Sequence, residues 1–187
     1  MMARWDKETL GRTAGEMCIK DVFKKSVLWY EAGMSAEIRH RPRVGVVGGS
    51  RAKETALRDA YELGRLIGRR GGVLVCGGLG GVMEAASRGA KEAGGLTLGI
   101  LPGHAPQEAN SSIDIPIATG LGYTRNSLVA LNADVLIAVD GEYGTLSEIA
   151  FGLIYGRRVI GLGSWDIPGL LPAQTPEEAV ELAFKKT

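Results

Sequence analysis

Glu148, with Gly141, Gly144 and Thr145 just ahead of it and Arg125 upstream, is where this sequence gathers the residue types that do chemistry. An apolar run, Val135 to Val139, stops at Asp140-Gly141-Glu142-Tyr143-Gly144-Thr145, and a helical pattern follows with Glu148 in its expected first turn. Glycines let backbone N–H groups come close to an anion, and a helix start adds its positive end. Thr145 offers either a cap or a hydroxyl for a phosphate. Glu148 is then either a carboxylate matched to the helix dipole or an acid–base group beside an anion site. Arg125, in Thr124-Arg125-Asn126, is a surface side chain by default. Between a strand end and a helix on the same sheet edge, it is instead a partner for phosphate or carboxylate.

Two more glycine clusters point to the same edge. Gly48-Gly49-Ser50 ends one apolar run, and Gly77-Gly78-Leu79-Gly80-Gly81 ends another, just before Val82-Met83. Close strand–helix packing explains one or two such glycines. Four in five positions, ahead of a helix start, favour ligand contact. The candidate site is therefore Gly48, Gly49, Ser50, Gly77, Gly78, Gly80, Gly81, Met83, Arg125, Gly141, Gly144, Thr145 and Glu148.

Alternating patterns supply the elements that must position these residues. Strands are expected at Arg43 to Val47, Val73 to Cys76, Leu96 to Leu101, Ile115 to Ala118, Val135 to Val139 and Arg158 to Leu162. Helices are expected at Lys53 to Arg70, Val82 to Ala93, Arg125 to Leu131 and Leu146 to Tyr155. Gly163 to Ala173 reads as a loop, and Thr175-Pro176-Glu177-Glu178 caps a last helix. Strands apolar on both faces, alternating with amphipathic helices, predict an α/β doubly wound, Rossmann-like domain with a mainly parallel sheet over residues 43–187. Such sheets bind ligands at the carboxyl ends of their strands.

Residues 1–42 stand apart as a helical extension or a disordered leader. Cys18, Ile19, Val22, Phe23, Val27, Trp29 and Tyr30 form a possible apolar stripe suited to a subunit interface, and Met34 is an alternative start. A net charge of +1 argues against broad capture of nucleic acid or membrane. No apolar stretch reaches the ~20 residues that span a bilayer. The N-terminus has neither a signal peptide's apolar core nor a transit peptide's lack of acids, which with reduced cysteines predicts a cytoplasmic protein. Cys76, inside an apolar run, is expected as a buried thiol, and the two histidines, His40 and His104, form no metal cluster. The turn after the first strand lacks GxGxxG, and no acid follows the second strand, which excludes a tightly held NAD. Neither a P-loop nor a GxSxG elbow occurs.

Taken in order, "VGVVGGS", "VCGGLGGVMEAASRGAKEAGG", "LGILPG", "YTRN" and "DGEYGTLSEIAFGL" resemble the Lonely guy-like superfamily, some of whose members were once labelled possible lysine decarboxylases. The likeness covers roughly residues 43–186 and runs toward a bacterial and archaeal branch that includes the molybdenum cofactor carrier protein. In the superfamily's enzymes a PGGxGTxxE motif and an upstream arginine hydrolyse the N-glycosidic bond of nucleoside 5′-monophosphates. By that resemblance Gly141, Gly144 and Thr145 hold a phosphate, Glu148 is the catalytic carboxylate and Arg125 its partner at ribose and base. A carboxylate there stabilises an oxocarbenium-like sugar or activates water, without any required cofactor. The resemblance also implies assembly into dimers or tetramers.

The sequence departs from the motif. Its proline and one glycine are replaced within Val139-Asp140-Gly141-Glu142-Tyr143, and Asn126 follows Arg125 where the hydrolases carry lysine. Asp140 and Glu142 put negative charge beside the expected phosphate unless their side chains turn away. Lysine decarboxylation fails on chemistry: a pyridoxal enzyme needs a Schiff-base lysine, and residues 43–170 hold only Lys53 and Lys91, both in expected helices. DNA binding, as in the related DNA-processing protein A, finds no basic stripe. The leading expectation is a binder of a phosphorylated nucleotide or molybdopterin-like cofactor, ahead of a nucleoside 5′-monophosphate phosphoribohydrolase. The base or pterin is expected to be read by the loop His104 to Ser112.

Overall fold

The computed structural model describes residues 41–185. The expectations for the first 40 residues, including the apolar stripe and the start at Met34, lie outside the described residues. Seven strands form one sheet: β1 (Arg43–Gly48), β2 (Val73–Cys76), β3 (Leu96–Leu101), β4 (Ile115–Ala118), β5 (Val135–Val139), β6 (Arg158–Leu162) and β7 (Leu170–Ala173). Among the described residues five α-helices connect or flank them: α1 (Glu54–Arg69), α2 (Val82–Glu92), α3 (Asn126–Asn132), α4 (Tyr143–Ile154) and α5 (Pro176–Phe184). All six strand pairs are parallel, in the order β4-β3-β2-β1-β5-β6-β7. The chain winds outward from β1 to β4, then returns to β1's other side and winds outward again from β5. The order therefore reverses between β1 and β5, whose register pairs Gly48 with Val139 at their carboxyl ends. A crevice opens at such a switch point.

Central strands β2 and β5 are apolar at every position because helices cover both faces. Along β5, Val135, Ile137 and Val139 join a core with Leu63 and Ile67 of α1, Val82 and Ala86 of α2, and Val180 of α5. Leu136 and Ala138 point the other way, into a core with Val129 of α3 and Ile149 of α4. Helices α1 and α2 pack almost backbone to backbone: a Cβ on Gly64 would lie 1.9 Å from the Ala86 carbonyl oxygen.

Two expectations need correction. Gly163 to Ala173 is not all loop, since β7 forms the sheet's edge; its register pairs Gly161 with Pro172. Proline lacks a ladder donor, so it suits an edge, and Pro168-Gly169 directly ahead makes this short strand read as loop. Helix α4 starts at Tyr143, three residues before the expected Leu146. Among the described residues no helix is long and apolar enough to cross a membrane.

Candidate functional site

The turn after β5 is tight. Asp140 has φ 47° and Gly141 φ 108°, both left-handed, and Ser164 Oγ donates to the Asp140 carbonyl oxygen at 2.9 Å. A positive φ at a non-glycine residue is uncommon and tends to occur at functional turns. The turn delivers the chain into α4 with Glu142 at the cap position and no side chain capping the helix. Helices α1 and α2, which start at the same sheet edge, also lack a side-chain cap. By contrast α5, which follows edge strand β7, is capped by Thr175 Oγ1 accepting from Glu178 N at 3.2 Å. Open N-termini around one crevice are suited to an anion.

A cavity of about 180 Å³ fills the crevice, lined by the β1–α1 turn, the β2–α2 turn, the turn before α3 and the start of α4. Of the sequence-derived candidates, Gly48, Gly49, Ser50, Met83, Arg125, Gly144, Thr145 and Glu148 are brought together in its wall. Gly77, Gly78, Gly80, Gly81 and Gly141 are not part of the lining. Packing accounts for several of these. A Cβ on Gly77 would lie 2.4 Å from Arg125 Nη2, so this glycine lets the guanidinium pass. A Cβ on Gly78, at φ 74°, would lie 2.6 Å from Leu101 Cδ2, and a Cβ on Gly81 would lie 2.4 Å from the Gly49 carbonyl oxygen. Cys76 itself is buried and free, as expected.

Arg125 and Glu148 form the cavity floor. Glu148 is the sixth residue of α4, with 5% of its surface exposed, and no acid occupies that helix's first turn. The dipole-matching role expected for a first-turn carboxylate therefore does not apply to it. Arg125 is 7% exposed, so it is not a surface arginine. Its Nη1 faces Glu148 Oε1 at 3.4 Å and donates to Asn126 Oδ1, and its Nη2 donates to the Gly77 carbonyl oxygen at 3.3 Å. Its Nε is buried with no hydrogen-bond partner. Burial pushes the Glu148 carboxyl up to about 8, against the pull of the Arg125 guanidinium, and the same burial pulls Arg125 below its ordinary value. Burial thus favours the protonated form of Glu148 beside the Arg125 guanidinium, which leaves the floor positive, while Glu142 places a further acidic side chain in the wall.

Asn126 is the residue whose role the sequence did not disclose. Its Nδ2 donates to the Gly144 carbonyl oxygen at 3.2 Å and to Ser147 Oγ at 2.8 Å, while its Oδ1 accepts from Arg125. One buried amide thus ties the guanidinium to the start of α4. Leu79, Tyr123 and Glu142 also line the cavity. Glu142 therefore does not turn away from the expected phosphate position, whereas Asp140 is absent from the lining. The loop His104 to Ser112 contributes nothing to the lining either. Its Asn110 instead braces the β2–α2 turn, Nδ2 donating to the carbonyl oxygens of Gly78 and Leu79 at 3.2 and 2.9 Å. Among the described residues no group of three or more His, Cys, Asp or Glu side chains is placed to hold a metal ion.

Comparisons with known proteins agree with this architecture. An uncharacterised protein of Archaeoglobus fulgidus is 47% identical over 146 residues, 78% of this chain and 96% of that one. The solved molybdenum cofactor binding protein of the phototrophic bacterium Rippkaea orientalis superposes with a TM-score of 0.73 at 42% identity, covering 76% of this chain and 95% of its own. A rice protein named "Probable cytokinin riboside 5'-monophosphate phosphoribohydrolase" is 28% identical over 106 residues, 54% of this chain and 47% of that one. The model of the SLOG cluster4 family matches residues 41–186, which spans every strand of the sheet and every residue of the cavity. The chain belongs to the SLOG cluster4 family, within the Lonely guy-like superfamily.

Proposed function

We propose that this protein binds a phosphate-bearing, nucleotide-like cofactor of the molybdenum cofactor class in the β1/β5 crevice and holds it without breaking a bond. The observation that carries this reading is Arg125: a guanidinium only 7% exposed that lines the cavity floor, facing a carboxyl that burial holds toward its protonated form. Burying a charge without an ionised partner is costly, and an anionic ligand in the cavity would offset that cost. The open start of α4, with Gly144 and Thr145 in the wall, supplies backbone donors for the same anion. The Rippkaea orientalis protein, similar over the whole domain, is named for binding molybdenum cofactor.

One observation favours a second reading, N-glycosidic hydrolysis of nucleoside 5′-monophosphates. Glu148 is a carboxyl held near 8 beside Arg125, a proton donor suited to a departing base. Incubation with AMP, GMP, CMP, UMP and IMP, followed by chromatography for free base, separates the two. The carrier reading expects no base release while phosphorylated ligands raise the melting temperature. Base release that disappears in Glu148→Gln would replace it with the hydrolase, where a positioned acid–base group contributes roughly 10²–10⁴ in rate.

A further inference from the structure

The cavity is too small for a whole nucleotide-like ligand. Sites that enclose a drug-sized molecule run from roughly 300 Å³ upward, and this one holds about 180 Å³. Only the phosphate-bearing end fits around Arg125 and Thr145, so the rest must lie at the mouth. Tyr123 stands there. It lines the cavity yet is 87% exposed, and it sits in a single turn of 3-10 helix, Gly122–Arg125, two residues before the floor arginine. A tyrosine ring at a cavity rim offers a flat π-face on which a base can stack.

From this, and resting on the phosphate-anchored reading above, we infer that Tyr123 is a stacking platform for the ligand's fused ring. The phosphate end lies inside on Arg125 and the start of α4, and the purine- or pterin-type ring lies outside on the Tyr123 face. Ring recognition then belongs to Tyr123 and not to the loop His104 to Ser112. A second exposed tyrosine supplies an internal control. Tyr143, 81% exposed, starts α4 and packs on Trp165 with ring centroids 6.3 Å apart, and it does not line the cavity.

The test measures calorimetric affinities for ribose 5-phosphate, GMP and the phosphate monoester of 6-hydroxymethylpterin. The proteins are wild type, Tyr123→Ala, Tyr123→Phe and Tyr143→Ala, with melting temperatures confirming the fold. Base–aromatic stacking predicts roughly a tenfold or greater loss of affinity for the better fused-ring ligand in Tyr123→Ala. Tyr123→Phe and Tyr143→Ala should keep it, and ribose 5-phosphate should change by no more than about twofold. Equal losses for ribose 5-phosphate and the ring ligands in Tyr123→Ala would overturn the inference, leaving Tyr123 as a shaper of the phosphate pocket. Wild-type affinity no higher for either ring ligand than for ribose 5-phosphate would overturn the stacking and leave the anion site standing. Binding of none of the three would overturn both.

Discussion

Replacing Glu148 with glutamine removes a carboxyl that burial pushes from 4.5 to about 8. Between those values the unfolded chain has released a proton that the folded chain still holds. A group raised on folding contributes its full stability below the unfolded value and loses it as pH climbs through the folded one. The loss is about 1.4 kcal/mol for each pH unit, roughly 5 kcal/mol across the whole window. Glutamine has nearly the same shape and no such titration, so the difference between variant and wild type isolates this one group. Urea unfolding of both proteins from about pH 5 to about pH 9 gives the difference directly. Glu148→Gln should gain on wild type by roughly 3 kcal/mol between about pH 5.5 and about pH 8. The rival picture is an ion pair with Arg125 that stays ionised throughout. Removing one partner of a buried pair costs about 3–5 kcal/mol, so the variant would be less stable by a constant amount. A flat, destabilising difference would refute the reasoning.

Three further perturbations test the scaffold around the site. Gly64→Ala drives a Cβ to within 1.9 Å of the Ala86 carbonyl oxygen; thermal unfolding should show a loss near the top of the overpacking range, about 3 kcal/mol or roughly 10 °C. Thr175→Ala removes the cap of α5 and should cost about 1 kcal/mol in urea unfolding, with ligand affinity unchanged because α5 is absent from the cavity wall. Gly141→Ala combines a φ of 108° with a Cβ 2.3 Å from Thr145 Oγ1; strain of roughly 1–3 kcal/mol should lower the melting temperature a few degrees and weaken phosphate binding in calorimetry by roughly tenfold or more.

Much of the fold was legible because burial on both faces leaves a plain signature. The runs at 73–76, 96–101, 115–118, 135–139 and 158–162 have the same ends in sequence and structure. The failures have local causes. Leu170–Ala173 is four residues with Pro172 inside and Pro168-Gly169 directly ahead, so it reads as the end of a loop. Tyr143 and Gly144 read as turn because glycine weakens helix propensity, yet the helix begins there and moves Glu148 a turn deeper. Of the site, the glycine clusters, Arg125 and Glu148 were legible as types at strand ends. That the guanidinium is buried and braced by Asn126 was not, because it depends on α3 meeting α4 across 18 to 21 residues of chain. Gly77 through Gly81 looked like one anion loop. Three of them instead clear the way for Arg125, Leu101 and the β1–α1 turn.

The most direct test of the account is a calorimetric titration of GMP and of inorganic phosphate into wild type and Arg125→Lys. Lysine keeps the positive charge but loses the planar fork. The account predicts that wild type binds and that Arg125→Lys loses roughly tenfold or more, the worth of a charged hydrogen bond, with its fold confirmed by thermal unfolding. Equal affinity in the two proteins would show that the buried guanidinium does not anchor the ligand, and the central claim would fall.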